Sequence, residues 1–287
     1  MSWFTSPQEV ADRLATNGYL ADAATATTAY LAGALEKPIL VEGPAGVGKT
    51  ELAKAIAAVT GAELVRLQCY EGLDEARALY EWNYKKQLLR IQAAGDSADW
   101  DATHDDIFGE EFLLTRPLLT AIRNPNPTVL LIDEIDKTDI EVEALLLEVL
   151  SDFQVSIPEL GTVKAARKPF VLLTSNAARE LSEAIKRRCL YLHIDYPELE
   201  REKQIVLGHV PELDDKVADQ LVNVVARLRE MELKKAPSIA ETIDWARTLI
   251  ALEIDDLDEK VINDTLGVVL KHVSDHERAV KELKLRV

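Results

Sequence analysis

A chain of 287 residues, 47% hydrophobic and 29% charged, has room for one large domain or two modest ones with a substantial core. Its 33 basic and 50 acidic residues give a formal net charge of −17, which opposes a nucleic-acid partner everywhere except in a local basic channel. No run approaches the roughly 18 apolar residues of a membrane span, the opening MSWFTSPQEVADRL is not a secretory signal, and Cys69 and Cys189 have no metal spacing, so a reducing, cytoplasmic setting is expected.

Ser6-Pro7-Gln8-Glu9 reads as a helix start, with Ser6 as N-cap, Pro7 in the first turn and Glu9 closing a capping box. Helical spacing runs to about Leu35 with a break near Asn17-Gly18, and Lys37-Pro38 ends it. A short buried strand is expected at Ile39-Leu40-Val41, a helix over 48–60 and a strand over 64–68. From Cys69 to Pro127 the pattern is mostly helical, with an acidic loop over 94–111. A continuous apolar strand over 128–132 is of the kind buried on both faces of a parallel sheet. An amphipathic helix (139–153), a hairpin (154–166) and strands over 170–174 and 190–194 follow. After Tyr196-Pro197 the apolar spacing is helical only, over 198–209, 214–233, 238–252 and 258–284. Strands alternating with helices, then helices alone, predict an α/β nucleotide-binding domain with a parallel five-stranded sheet (37–196), preceded by N-terminal helices (1–36) and followed by an all-α lid (197–287).

Between the first strand and its helix stands Gly43-Pro44-Ala45-Gly46-Val47-Gly48-Lys49-Thr50, a GxxxxGK[ST] phosphate loop in the context that confirms it. Its glycines let backbone N–H groups turn in around a β-phosphate at a helix N-terminus. Lys49 is placed to reach the β- and γ-phosphates of ATP, and Thr50 to ligate Mg²⁺. The strand Val129–Ile132 ends in Asp133 and Glu134. Asp133 is the candidate for holding Mg²⁺ through its water shell, and Glu134 for polarising the attacking water. Asn176, at the end of Leu172-Leu173-Thr174-Ser175, either positions that water or simply occupies a turn. Arg187 and Arg188, before the last strand, are either a finger for a neighbouring protomer's phosphates or a solvated basic helix end. Asp101, His104, Asp105 and Asp106 read as a solvated acidic loop more readily than as a metal site. His193, His209, His272 and His276 have no ligand spacing, and the aromatics of LYEWNY suit helix packing.

Taken in order, these motifs resemble the AAA+ ATPases. RLQCYEGLDEARALYEWNYKKQLL from Arg66 and EVLSDFQVSIPELGTVKAARKPFVLLTSN from Glu148 are similar to inserts of the MoxR family. YEWNYKKQLL together with PSIAETIDWARTL (Pro237–Leu249) resembles its CoxD-like branch, associated with carbon monoxide dehydrogenase maturation. The resemblance implies a ring-forming, usually hexameric ATPase acting as a chaperone, often with a partner bearing a von Willebrand factor A (VWA) domain, on metalloenzyme clients. It also implies Asn176 as first sensor and Arg187, rather than Arg188, as the finger acting in trans. Many relatives carry a sensing Arg at the start of the third lid helix. Here that stretch is Ala236-Pro237-Ser238-Ile239-Ala240-Glu241, with Lys234 and Lys235 as the nearest cations, and a point charge does not copy a bidentate fork. Alternatives from the same residues are a chelatase-type subunit inserting metal into a tetrapyrrole, a nucleotide-gated binding module with incidental hydrolysis, and, least favoured by charge, a DNA-dependent motor.

Overall fold

The computed structural model describes residues 3–94 and 107–283; Asp101, His104, Asp105 and Asp106 lie outside the described residues. Ser6 caps α1 (Pro7–Thr16) by accepting the Glu9 N–H at 3.1 Å. The reciprocal half of the expected capping box is not made. Glu9 instead accepts from the Thr5 N–H and hydroxyl, at 2.6 and 2.5 Å, one residue ahead of the cap. Asp22 caps α2 (Ala23–Leu35), and Pro38 then leads into β1 (Ile39–Glu42), α3 (Lys49–Thr60) and β2 (Glu63–Gln68).

The next stretch departs from the helical expectation. It holds α4 (Glu75–Ala78), β3 (Tyr80–Trp82), α5 (Tyr84–Ala94), β4 (Leu113–Thr115) and α6 (Pro117–Arg123). β3 pairs antiparallel with β4, Trp82 opposite Leu113. One Tyr-Glu-Trp alternation is too short to stand out against helical neighbours, and its partner lies thirty residues on in sequence. Trp82 is buried, with its ring edge-on to Tyr80 (6.2 Å between centroids) and Phe108 (5.2 Å).

β5 (Thr128–Asp133), α7 (Ile140–Asp152), the antiparallel pair β6 (Gln154–Ile157) and β7 (Gly161–Lys164), β8 (Phe170–Ser175), α8 (Glu183–Arg188) and β9 (Leu190–His193) complete the α/β part. The main sheet is parallel, in the order β2-β5-β8-β1-β9. Every residue of β5 and β8 is buried, as continuous apolar runs require when both faces of a sheet are covered. Fully burying one of their leucines contributes about 1.5–3 kcal/mol, so the strands that end in Asp133 and Ser175 lie in the most strongly held part of the sheet.

The C-terminal helices are α9 (Leu199–His209), α10 (Asp215–Arg229), α11 (Ile239–Ala251), α12 (Glu259–Thr265) and α13 (Val273–Glu282). The single helix expected over 258–284 is two, separated by a 3-10 turn at Leu266–Val268 that contains Gly267. Trp245 is fully buried among these helices and donates its indole N–H to Thr265 Oγ1 at 2.8 Å. The chain forms two compact units, each with its own apolar core. The first comprises Met1–Asn17, Ala21–Glu42 and Thr50–His193; the second comprises Gly18–Leu20, the phosphate-loop segment Gly43–Lys49, and Ile194–Val287.

Candidate active site

In the first unit the predicted carboxylates meet at one edge of the sheet. The register that sets Ile132 opposite Leu173 carries Asp133 and Thr174 to the same strand ends. Asp133, buried, accepts the Thr50 hydroxyl at 2.9 Å and the Thr174 hydroxyl at 2.6 Å on Oδ1. Its Oδ2 pairs with Arg66, which donates from Nε at 3.0 Å and Nη2 at 2.5 Å. Thr174 also accepts the Glu134 N–H at 2.8 Å, fixing the turn in which Glu134 adopts φ 58°, ψ 48°. That left-handed backbone is uncommon outside glycine and asparagine and is held here by its surroundings. The Glu134 carboxylate accepts from Gln68 Nε2 (2.8 Å) and Lys137 Nζ (2.7 Å), with Asn176 Nδ2 at 3.5 Å. The bond to Glu134 raises the Lys137 ammonium above its ordinary range, keeping it cationic. Burial first, then the nearby Asp133, Asp136 and Glu134 carboxylates, push the Cys69 thiol up to about 12, so it stays protonated and inert.

Arg66, Gln68, Lys137, Thr174 and Asp136 were not singled out from sequence. The usable signal was parity: Arg66 and Gln68 are two apart on β2 and therefore share a face. What that face meets depends on β2 lying beside β5. Asp136, buried, accepts the N–H groups of Asn176 (3.2 Å) and Ala178 (3.0 Å) on Oδ2 and so orients the turn after β8.

Beyond that turn, Glu143 of α7 steadies α8. It accepts the Ser182 N–H at 3.0 Å and lies 2.6 Å from Arg179 Nη2, off the hydrogen-bonding line, so that contact is ionic. Burial opposes its charge, but the hydrogen bonding of Ser182 and the adjacent Arg179 guanidinium prevail and hold its carboxyl below the ordinary carboxylate range. A lowered folded-state pKa stabilises fully above the unfolded value and is lost as pH falls through the folded one. Glu143→Gln is therefore expected to cost about 1–3 kcal/mol at neutral pH and to flatten the acid limb of stability. Urea unfolding of both proteins from about pH 7 to about pH 3 checks this; parallel acid limbs would exclude it.

α8 ends in Lys186, Arg187 and Arg188, a basic last turn that complements the helix dipole. Arg188 is committed within the chain, donating to Ser151 Oγ and to Ala184 O (3.0 Å). Arg187 is exposed, makes no hydrogen bond or ion pair among the described residues, and lines an open cleft of about 530 Å³ with Leu150, Phe153 and Lys168.

The second unit holds the phosphate loop. Gly46 has φ +80°, and a Cβ there would stand 2.1 Å from Ser238 Cβ; a Cβ on Gly43 would stand 1.8 Å from the Ile194 carbonyl oxygen. Only glycine fits either place. Lys49, buried, donates from Nζ to the carbonyls of Gly43 (2.7 Å) and Pro44 (2.6 Å). Of the two lysines ahead of α11, only Lys235 has its side chain engaged among the described residues. The Lys235 side chain pairs with Glu241 at 2.8 Å, and the backbone N–H groups of Lys234 and Lys235 go to Asp275 (3.1 and 3.4 Å). As donors, Thr50 Oγ1 and Asp133 Oδ1 are hard oxygens 2.9 Å apart at the start of α3, a set that suits Mg²⁺ in company with phosphate oxygens. Among the described residues no cluster of three or more His, Cys, Asp or Glu forms a metal site of its own.

A glycine-rich loop between a parallel strand and a helix, in a chain whose sheet also contains a buried strand ending in Asp-Glu, defines a nucleotide-binding α/β protein of the phosphate-loop class. More particularly, the chain belongs to the AAA family, the "ATPase family associated with various cellular activities", whose model matches residues 39–196. It is similar to uncharacterized proteins of Staphylococcus aureus (strain bovine RF122 / ET3-1) and Staphylococcus haemolyticus (strain JCSC1435). Each is 26% identical over 244 residues, spanning 81% of this chain and 85% of the relative. Among solved structures it is similar to a RuvB mutant of Thermotoga maritima, with a TM-score of 0.51 and 18% identity over 92% of this chain and 71% of that one. That likeness is one of fold. No helix among the described residues is long and apolar enough to cross a membrane.

Proposed function

We propose that this chain binds and hydrolyses ATP as a MoxR-type AAA+ chaperone, working in a homo-oligomeric ring on a metal- or molybdenum-cofactor enzyme presented by a VWA-domain adaptor. The observation that carries the hydrolytic part is the hydrogen-bonded run from Thr50 through Asp133 and Thr174 to the Glu134 N–H. It ties the last residue of the phosphate-loop motif to the backbone turn that carries the Glu134 side chain. In this reading the N–H groups of Gly43–Lys49 and the Lys49 ammonium grip the phosphates, with Thr50 and Asp133 as Mg²⁺ ligands. Bound there, Mg²⁺ supplies charge neutralisation on the β- and γ-oxygens. Glu134 accepts the proton of the attacking water, and Asn176, 3.5 Å from it, orients that water. Gln68 and Lys137 hold the Glu134 carboxylate in place by its other oxygen. Arg187 reaches the neighbouring protomer's phosphates, and residues 197–287 act as the lid.

The MoxR assignment is supported by the three resembling segments and by the hairpin β6–β7 ahead of Asn176. A protein client is supported by the net charge of −17 and by α5, whose exposed Tyr84, Leu88 and Leu89 offer an apolar surface for contact. Lys49→Ala tests the base of the proposal. Loss of an ammonium from a triphosphate site is expected to weaken ATP binding by at least about a hundredfold, read by titration with a fluorescent nucleotide; unchanged affinity would remove the phosphate loop from the mechanism.

A further inference from the structure

The second unit contains a polar assembly that the proposed hydrolytic residues do not use. Arg229, at the end of α10, is nearly buried and pairs through two nitrogens with the buried Glu202 of α9, at 2.5 and 2.8 Å. Its Nε donates to the Pro237 carbonyl at 2.8 Å, and its guanidinium carbon lies 4.1 Å from the centroid of the Tyr196 ring. Thr242 of α11 joins the same cluster by donating to Glu202 at 2.9 Å. One arginine thus holds two separate pieces of chain, the Tyr196 ring and the Pro237-Ser238 entry to α11.

Both pieces end on the phosphate loop. The Tyr196 hydroxyl donates to the Ala45 carbonyl at 3.3 Å, and the Ile239 N–H, first in α11, donates to the Gly46 carbonyl at 3.2 Å. A trans peptide is planar and carries its N–H opposite its C=O. Drawing the carbonyls of Ala45 and Gly46 toward Tyr196 and Ile239 therefore turns the N–H groups of Gly46 and Val47 the other way. Two successive N–H groups so aligned make a nest that favours an anion. Gly46, at φ +80°, allows the turn between them.

The geometry points to Arg229 and Tyr196 as positioning residues that preset the phosphate loop, a task carried out here from α10 in a chain whose α11 begins without an arginine. Neither residue touches the nucleotide; they remove the cost of ordering the loop when phosphate arrives. The inference rests on the nucleotide-binding reading above. Ser238 adds a steric stop, because its Cβ occupies the space a side chain at position 46 would need.

The test uses the full chain with ATP and ADP as titrants. Tyr196→Phe keeps the ring beneath Arg229 and deletes one donor. It is expected to raise the Kd of both nucleotides about fivefold, as loss of one net hydrogen bond implies. Its KM should rise in step, with kcat at saturating ATP within about twofold, since the hydrolytic groups are untouched. Arg229→Lys keeps the charge but cannot fork between Glu202 and Pro237 or stack on Tyr196, and should weaken binding about tenfold or more. Loss in Tyr196→Phe at an unchanged melting temperature supports the inference, because a purely structural role would lower the melting temperature and leave Kd alone. Tyr196→Phe with wild-type Kd, in a protein whose Lys49→Ala variant has lost binding, overturns it while the nucleotide reading stands. A wild-type chain that binds neither nucleotide removes both.

Discussion

Glu134→Gln is expected to bind ATP as the parent does and to assemble, yet to turn over about 10² to 10⁴ times more slowly, the usual worth of a positioned general base. The amide has the same shape, so the strained turn and the Glu134 N–H bond to Thr174 survive, and what is lost is the capacity to accept a proton. Gln68 and Lys137 each lose a carboxylate partner, but both reach it from partly exposed positions, and the global stability should move by less than about 1 kcal/mol. Steady-state phosphate release, with nucleotide binding measured alongside, decides the matter. Parental turnover would take Glu134 out of the chemistry. The same variant separates a working motor from a nucleotide-gated binding module. If client maturation proceeds normally with hydrolysis abolished, ATP occupancy and not its consumption is the signal.

The second large effect concerns Arg187. If it completes a neighbour's site, Arg187→Ala should lower turnover by about 10³ to 10⁵, the range of arginine fingers, without weakening nucleotide binding by the protomer that carries it. Arg188→Ala should do far less to turnover, because Arg188 is spent on Ser151 and Ala184 inside its own chain. The decisive version mixes two inactive proteins. Combining Arg187→Ala with Glu134→Gln gives roughly a quarter of interfaces in which an intact Glu134 faces an intact Arg187, provided the ring mixes at random. Recovered ATPase activity in the mixture, absent from either variant alone, places the arginine in trans. No recovery in verified mixed rings would place it in its own protomer or nowhere in the reaction.

Much of this was legible in the residues. The phosphate loop announces itself because glycine is required where a Cβ would collide, and at Gly43 and Gly46 the collisions are with Ile194 and Ser238. The continuous apolar runs of β5 and β8 could only be doubly covered strands, and their polar ends had to emerge at a sheet edge. The hairpin at 154–164 and the helical C-terminal region were equally readable, since period and turn residues are local properties. The failures were local rules overruled at a distance. Tyr80–Trp82 is a strand because Leu113 and Phe108 are beside it. Glu9 left its capping box because Thr5 offered two donors.

By itself, then, the sequence determined the alternation of elements, the phosphate loop and the identity of the acidic pair, all consequences of side-chain period and backbone sterics within a few residues. The strand order β2-β5-β8-β1-β9 was decided only in three dimensions, and with it the meeting of Arg66 and Gln68 with Asp133 and Glu134. So were the commitment of Arg188 but not Arg187 and the grip of Tyr196 and Ile239 on the phosphate loop. The reason is that hydrogen bonds and ion pairs act over about 3 Å in space and carry no record of the scores of residues that separate their partners along the chain.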